Sequence, residues 1–140
     1  MCSRIYYTAY MKKLVIFLVI CFSLMLGCKS SETREAGMYH SISPQQAYNM
    51  ISTLEEYIIL DVRSENEHQR KHIPGAISIP FLQIKDRAEN ELPDKDAMIF
   101  VHCRSGGRST IAAKELVRLG YTNIYDFKKI TRWPGQTISG

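Results

Sequence analysis

The sequence predicts an α/β fold: a central parallel sheet with helices on both faces. Three observations carry this. Short apolar runs of strand type alternate with stretches of helical periodicity along the chain. Two serine-led segments, Ser43-Pro44-Gln45-Gln46 and Ser64-Glu65-Asn66-Glu67, put Gln or Glu where a capping box needs it and so mark helix starts. Prolines and glycines fall between the periodic stretches rather than within them.

Taken in order, a helix is expected from about Pro44 to Leu54, with its proline at the first helical position. Tyr57 to Val62 is a strand. The Ser64 cap opens a second helix, which must stop before Pro74. Ala76 to Ile79 is a short strand, and Phe81 to about Leu92 a helix. Met98 to Val101 is a strand that feeds the segment HCRSGGRS, His102 to Ser109. A helix from Ser109 to Leu119 is closed by Gly120 at the C′ position, and Asn123 to Phe127 is the last strand. With 140 residues and no internal repeat, one folded domain is expected, spanning residues 42–140. In sheets of this class ligands bind beyond the carboxyl ends of the strands. His102-Cys103 and Asp61-Val62-Arg63 both lie at such ends.

The first 41 residues read differently. Lys12-Lys13 precede a thirteen-residue apolar run, Leu14 to Leu26, broken only by Cys21 and Ser23. As a helix it is roughly 20 Å long, against about 30 Å of bilayer hydrocarbon, so it suits the core of a signal peptide better than a transmembrane span. It ends in Met25-Leu26-Gly27-Cys28, which resembles the lipobox of bacterial lipoproteins. Residues 1–27 are then a lipoprotein-type signal peptide, whose start could lie at Met11, and Cys28 is the lipidated first residue. A plain secretory signal or an uncleaved anchor is the alternative. Lys29 to His40 is polar and aperiodic, so residues 28–41 read as a tether. The expected location is extracytoplasmic, in a bacterial cell envelope, with the membrane as a partner through the lipid.

Charge excludes one class of function. Arg4, Lys12 and Lys13 lie in the leader and every acidic residue lies beyond it, leaving 15 basic against 14 acidic residues in the rest. Without a basic stripe interleaved with aromatics, no nucleic-acid partner is expected. Cysteine usage narrows the chemistry. Cys2 and Cys21 lie in the leader and Cys28 at the lipobox, so Cys103 stands alone in the domain, with neither a disulfide partner nor a set of metal ligands. No metal or other cofactor is expected.

The cysteine loop suits a reactive thiol. Gly106 and Gly107 permit backbone conformations closed to other residues. The N–H groups of Arg104, Ser105, Gly106, Gly107, Arg108 and Ser109 can then turn inward as an anion nest. The helix that follows adds the positive end of its dipole, and Arg104 and Arg108 add full charges. Each effect favours a thiolate on Cys103 and an anionic substrate. A buried structural cysteine at a tight turn is the competing reading, but it leaves the two flanking arginines without a reason.

Three segments, Ile59-Leu60-Asp61-Val62-Arg63, His72-Ile73-Pro74-Gly75-Ala76 and Cys103-Arg104-Ser105-Gly106-Gly107-Arg108-Ser109, resemble the motifs of rhodanese-like sulfurtransferases. The resemblance runs from about Ser43 to Gly140 and implies a single rhodanese-like domain. It also implies that Cys103 is the nucleophile and persulfide carrier, and that the amides of Arg104 to Ser109 cradle its outer sulfur. The donor it implies is small and anionic, thiosulfate-like, and the acceptor is cyanide or a thiol. Asp61 and Arg63 would support the active-site side of the fold. His72 would be a structural donor. His102 adjoins the nucleophile, but adjacent strand residues face opposite ways, which argues against its acting as a base. Trp133 reads as core or rim packing.

Two rivals remain. A persulfide-binding relay module would take sulfur from a protein partner without turning over small donors. A cysteine phosphatase or arsenate reductase would need a longer loop: those enzymes place five residues between cysteine and arginine, whereas four separate Cys103 from Arg108. The Cys-Arg-x-Gly-x-Arg form resembles thiosulfate-type loops. One departure stands out. Lys128-Lys129 occupy the place where the family often carries two glycines, which would put two cations at the active-site mouth or distort the turn there.

Overall fold

The computed structural model describes residues 38–140. The expected signal peptide, the Met11 start, the lipidation expected at Cys28 and the expected tether up to residue 37 lie outside the described residues. Five strands form one all-parallel sheet in the order β1-β5-β4-β2-β3. They are β1 (His40–Ser41), β2 (Ile58–Asp61), β3 (Ile77–Ser78), β4 (Met98–Cys103) and β5 (Asn123–Lys129). The helices are α1 (Pro44–Ile51), α2 (Glu65–Arg70), α3 (Ile84–Glu91) and α4 (Gly107–Arg118).

The expected helix starts form as capping boxes. Ser43 Oγ accepts the Gln46 N–H at 3.2 Å, and Gln46 Oε1 accepts the Ser43 N–H at 2.9 Å. Ser64 and Glu67 repeat the exchange at 3.4 and 3.2 Å. Gly120 follows the last turn of α4 with φ +93°, the left-handed geometry of a C′ glycine. The helix expected over Phe81 to Leu92 divides. Phe81–Gln83 is a 3₁₀ turn after Pro80, and α3 proper ends at Glu91, since Pro93 keeps the backbone of Leu92 out of the helical region.

Alternation along β4 distributes its side chains. Ile99, Val101 and Cys103 join the core under α3 and α4, with Leu60, Ile84 and Leu116. Phe100 belongs to the opposite core, under α1, with Ala47, Ile59 and Phe127. Helices therefore cover both faces, as expected. Tyr121, almost fully buried, keeps its hydroxyl satisfied by donating to the Leu92 carbonyl at 2.7 Å.

One element departs from the expected layout. His40 and Ser41, read as the end of a tether, form β1 and pair with Tyr125 and Asp126 of β5. Two residues are too few to show a strand period. The His40 ring stacks on Tyr125 at 5.0 Å, which no local pattern announces.

Candidate active site

The carboxyl ends of β2, β4 and β5 meet at one end of the sheet, and Cys103 is the last residue of β4. The loop is shorter than the sequence implied. Only Arg104, Ser105 and Gly106 lie between strand and helix, because α4 starts at Gly107 rather than Ser109. Gly107, Arg108 and Ser109 are its first turn. The two glycines therefore differ. Gly106 has φ +112°, which a side chain resists, whereas Gly107 is helical with nothing within 4 Å of where a Cβ would stand.

This early helix start brings unpaired N-terminal amides to the sulfur. The Gly106 N–H donates to Cys103 Sγ at 3.0 Å. Ser109 donates its hydroxyl to the Gly106 carbonyl at 3.0 Å and fixes the turn. Burial pushes the Cys103 thiol up, but the amides of Ser109, Gly106 and Ser105 outweigh it and hold the thiol below its ordinary value. The site therefore favours a thiolate.

Beneath the loop, Asp61 is fully buried. It accepts the Arg63 backbone N–H at 3.1 Å, Arg63 Nε at 2.9 Å and Nη2 at 2.6 Å. His68 Nδ1 lies 3.0 Å from Oδ2, the oxygen that also accepts Arg63 Nη2. Arg63 Nη2 also donates to the Lys71 carbonyl at 2.6 Å. Burial pushes the Asp61 carboxyl up, and these donors more than reverse it. Asp61 and Arg63 thus tie the end of β2 to α2 and touch no sulfur. His72 Nδ1 donates to the His68 carbonyl at 2.9 Å, consistent with a structural donor.

His102 is fully buried on the face opposite Cys103, with its ring 5.0 Å from Phe127. Burial pushes its imidazole down to about 4, so it is neutral near pH 7 and points away from the nucleophile. Below the ordinary value of 6.5 the unfolded chain takes up the proton first, so stability is whole above 6.5 and lost as pH falls toward 4. Urea unfolding should show a loss of roughly 3 kcal/mol at most across that window. His102→Phe should flatten the dependence, and an unchanged slope in that variant refutes the assignment.

Arg108 does not point free into the mouth. It forms a two-pronged pair with Glu67 at 2.6 and 2.9 Å. Arg108 holds the Glu67 carboxyl down to about 2. Sequence reasoning missed Glu67 as a site residue. It was legible only as the capping-box residue of α2, and its second role spans 41 positions along the chain. Arg104 is exposed and lines an open hollow of about 240 Å³ beside Arg63, Glu67, Arg70 and Lys71. Trp133, partly buried, packs on the core under α1, edge-on to Tyr48 and against Phe127.

β5 carries one residue more than β4 opposite the site. Val101 pairs with Asp126, but His102 pairs with Lys128, so Phe127 is an inserted bulge. The bulge sets Lys128 and Lys129 beside the end of β4. Lys128 is the one non-glycine with positive φ among the described residues, at +66°.

The residues in these positions match a family model described as a rhodanese-like domain, over residues 43–129. The chain belongs to the rhodanese-like domain family. It is 37% identical over 65 residues to the thiosulfate sulfurtransferase PspE of Escherichia coli, covering 46% of this chain and 62% of that protein. It is 36% identical over 91 residues to the adenylyltransferase and sulfurtransferase UBA4 of Candida albicans, covering 61% of this chain and 21% of that one. The chain thus spans less than two thirds of either relative. Among solved structures, a rhodanese with anions from E. coli superposes with a TM-score of 0.57 at 30% identity, over 60% of this chain and 99% of that one. In this rhodanese-like domain the β5 bulge carries a lysine in left-handed backbone.

Proposed function

We propose that the chain is a thiosulfate-type sulfurtransferase working through a persulfide on Cys103. The observation that carries this is the sulfur at the end of β4, ringed by the amides of Ser105, Gly106 and Ser109 and facing the start of α4. In the first half, the Cys103 thiolate attacks the outer sulfur of thiosulfate. The bond between the two donor sulfurs breaks, and sulfite leaves with its electron pair. The same amides then hold the persulfide anion. In the second half, cyanide or an acceptor thiolate attacks the outer sulfur, and the electron pair returns to Cys103. Charge is conserved in both steps, and no metal or redox cofactor takes part.

Two features favour this over phosphoryl or arsenate chemistry. The short loop closes directly on the sulfur through the Gly106 N–H, and four residues rather than five separate Cys103 from Arg108. A relay module fed by a protein partner is the second reading. It differs in giving no persulfide from thiosulfate. We also propose that Cys28 is lipidated and anchors the domain outside the cytoplasm, on the strength of the pattern from Lys12 to Cys28. One experiment tests both: mass spectrometry of the full chain expressed in a bacterium, before and after thiosulfate. A gain of one sulfur, about 32 Da, on Cys103 and a lipid on Cys28 are expected. No sulfur gain refutes the thiosulfate reading, and an unmodified Cys28 refutes the anchor.

Arg108→Ala tests the electrostatics of the mouth. It removes a cation and also leaves Glu67 as an uncompensated carboxylate. With a charge-assisted contact worth about 1.5–3 kcal/mol, kcat/KM for thiosulfate should fall by about 10- to 100-fold. Adding Glu67→Gln should recover part of that loss. A double variant no better than the single one contradicts the account.

A further inference from the structure

The Cβ, Cγ and Cδ of Lys128 stand 3.1, 3.4 and 3.5 Å from where a Cβ on Gly106 would be. The lysine stem thus lies directly over the residue whose N–H holds Cys103 Sγ at 3.0 Å. That position is held from below. Asp126, fully buried, accepts the Lys128 N–H on Oδ1 at 3.0 Å and the Thr110 hydroxyl on Oδ2 at 2.9 Å. One carboxylate therefore fixes both the bulge of β5 and the first turns of α4. Lys128 itself is held at φ +66°, a region that an unbranched side chain resists and glycine accepts freely. Such a conformation persists only where the surroundings impose it, and an imposed outlier at a site mouth points to a task for the side chain. The ammonium lies two bonds beyond Cδ, so it is confined to the neighbourhood of the cradle. No described acidic side chain forms an ion pair with it, whereas Arg63 and Arg108 are committed to Asp61 and Glu67.

We propose that Lys128 is a specificity-determining residue of the sulfur-transfer site: its stem covers Gly106 and its unpaired ammonium selects donors of higher negative charge. This rests on the sulfurtransferase reading above. It joins Lys128 to Arg104 and Arg108, the two arginines to which the sequence offered the attraction of an anionic donor. A dianionic donor such as thiosulfate gains more from a fixed cation at the mouth than a monoanionic one such as methanethiosulfonate.

The test compares kcat/KM for these two donors in the full chain. Lys128→Met keeps the stem and removes the charge, Lys128→Arg keeps the charge, and Lys128→Gly removes both stem and strain. Lys128→Met should lower kcat/KM for thiosulfate about fivefold and for methanethiosulfonate about twofold, so that the preference shifts. Lys128→Arg should restore the preference. Lys128→Gly should lose it while raising Tm by roughly 4 °C through relief of the left-handed backbone. An active wild type whose donor preference is unchanged by Lys128→Met overturns the proposal, as does an equal loss in Lys128→Arg and Lys128→Met. A wild type that forms no persulfide from either donor overturns the sulfurtransferase reading itself, and this proposal with it.

Discussion

Cys103→Ser is expected to abolish sulfur transfer from thiosulfate to cyanide, with turnover falling at least about a thousandfold, while the domain stays folded. Serine is nearly the same size, and its hydroxyl can still accept the Gly106 N–H that now meets Sγ at 3.0 Å. Packing under α4 should therefore survive. The chemistry should not. The amide ring favours an anion at this position, but a hydroxyl ionises far too high for that help to produce a nucleophile near pH 7, and an oxygen cannot carry a persulfide. Two measurements check this: thiocyanate production, and circular dichroism of the same sample. Turnover near the wild-type rate in a folded variant would remove Cys103 from the mechanism.

Asp61→Ala is expected to be the most destabilising of the substitutions considered, by about 3–5 kcal/mol. The reason is what it leaves behind. Arg63 is almost fully buried, and three of its donors end on the lost carboxylate. An unpaired guanidinium in the interior costs far more than the pair was ever worth. A typical domain has only about 5–15 kcal/mol in total, so the variant would sit near its unfolding threshold. Removing both charges together, as Asp61→Leu with Arg63→Met, should recover much of the loss. Urea denaturation at pH 7 decides the matter. A loss below about 1 kcal/mol for Asp61→Ala, or a double variant worse than the single one, would contradict the account.

The legible parts of this protein are those written locally. The capping boxes at Ser43 and Ser64 place α1 and α2, Gly120 closes α4, and Pro93 bounds α3. The cysteine loop is legible because its parts are neighbours in the chain. The illegible parts are pairings across the chain. Glu67 and Arg108 lie 41 positions apart, and Asp126 and Thr110 lie 16 apart. Neither pair leaves a periodic trace. The sequence therefore offers Arg108 as a free cation at the mouth, whereas its charge is met by Glu67. The sequence places the start of α4 two residues late for a different reason: glycine is a poor helix former, and propensity does not register N-terminal amides that serve the sulfur.

The two-residue strand at His40–Ser41 has a consequence for how the protein keeps to itself. Seven residues of β5 would otherwise present a row of unpaired backbone groups, a template onto which a second chain could add. His40 and Ser41 occupy that row, and the Ile42 N–H continues it onto the Asp126 carbonyl at 3.0 Å. At the far side, β3 is only two residues long and offers little to copy. A chain trimmed to begin at Ile42 would keep every group around Cys103. It would also bare the β5 edge of its sheet to strand addition by a second chain.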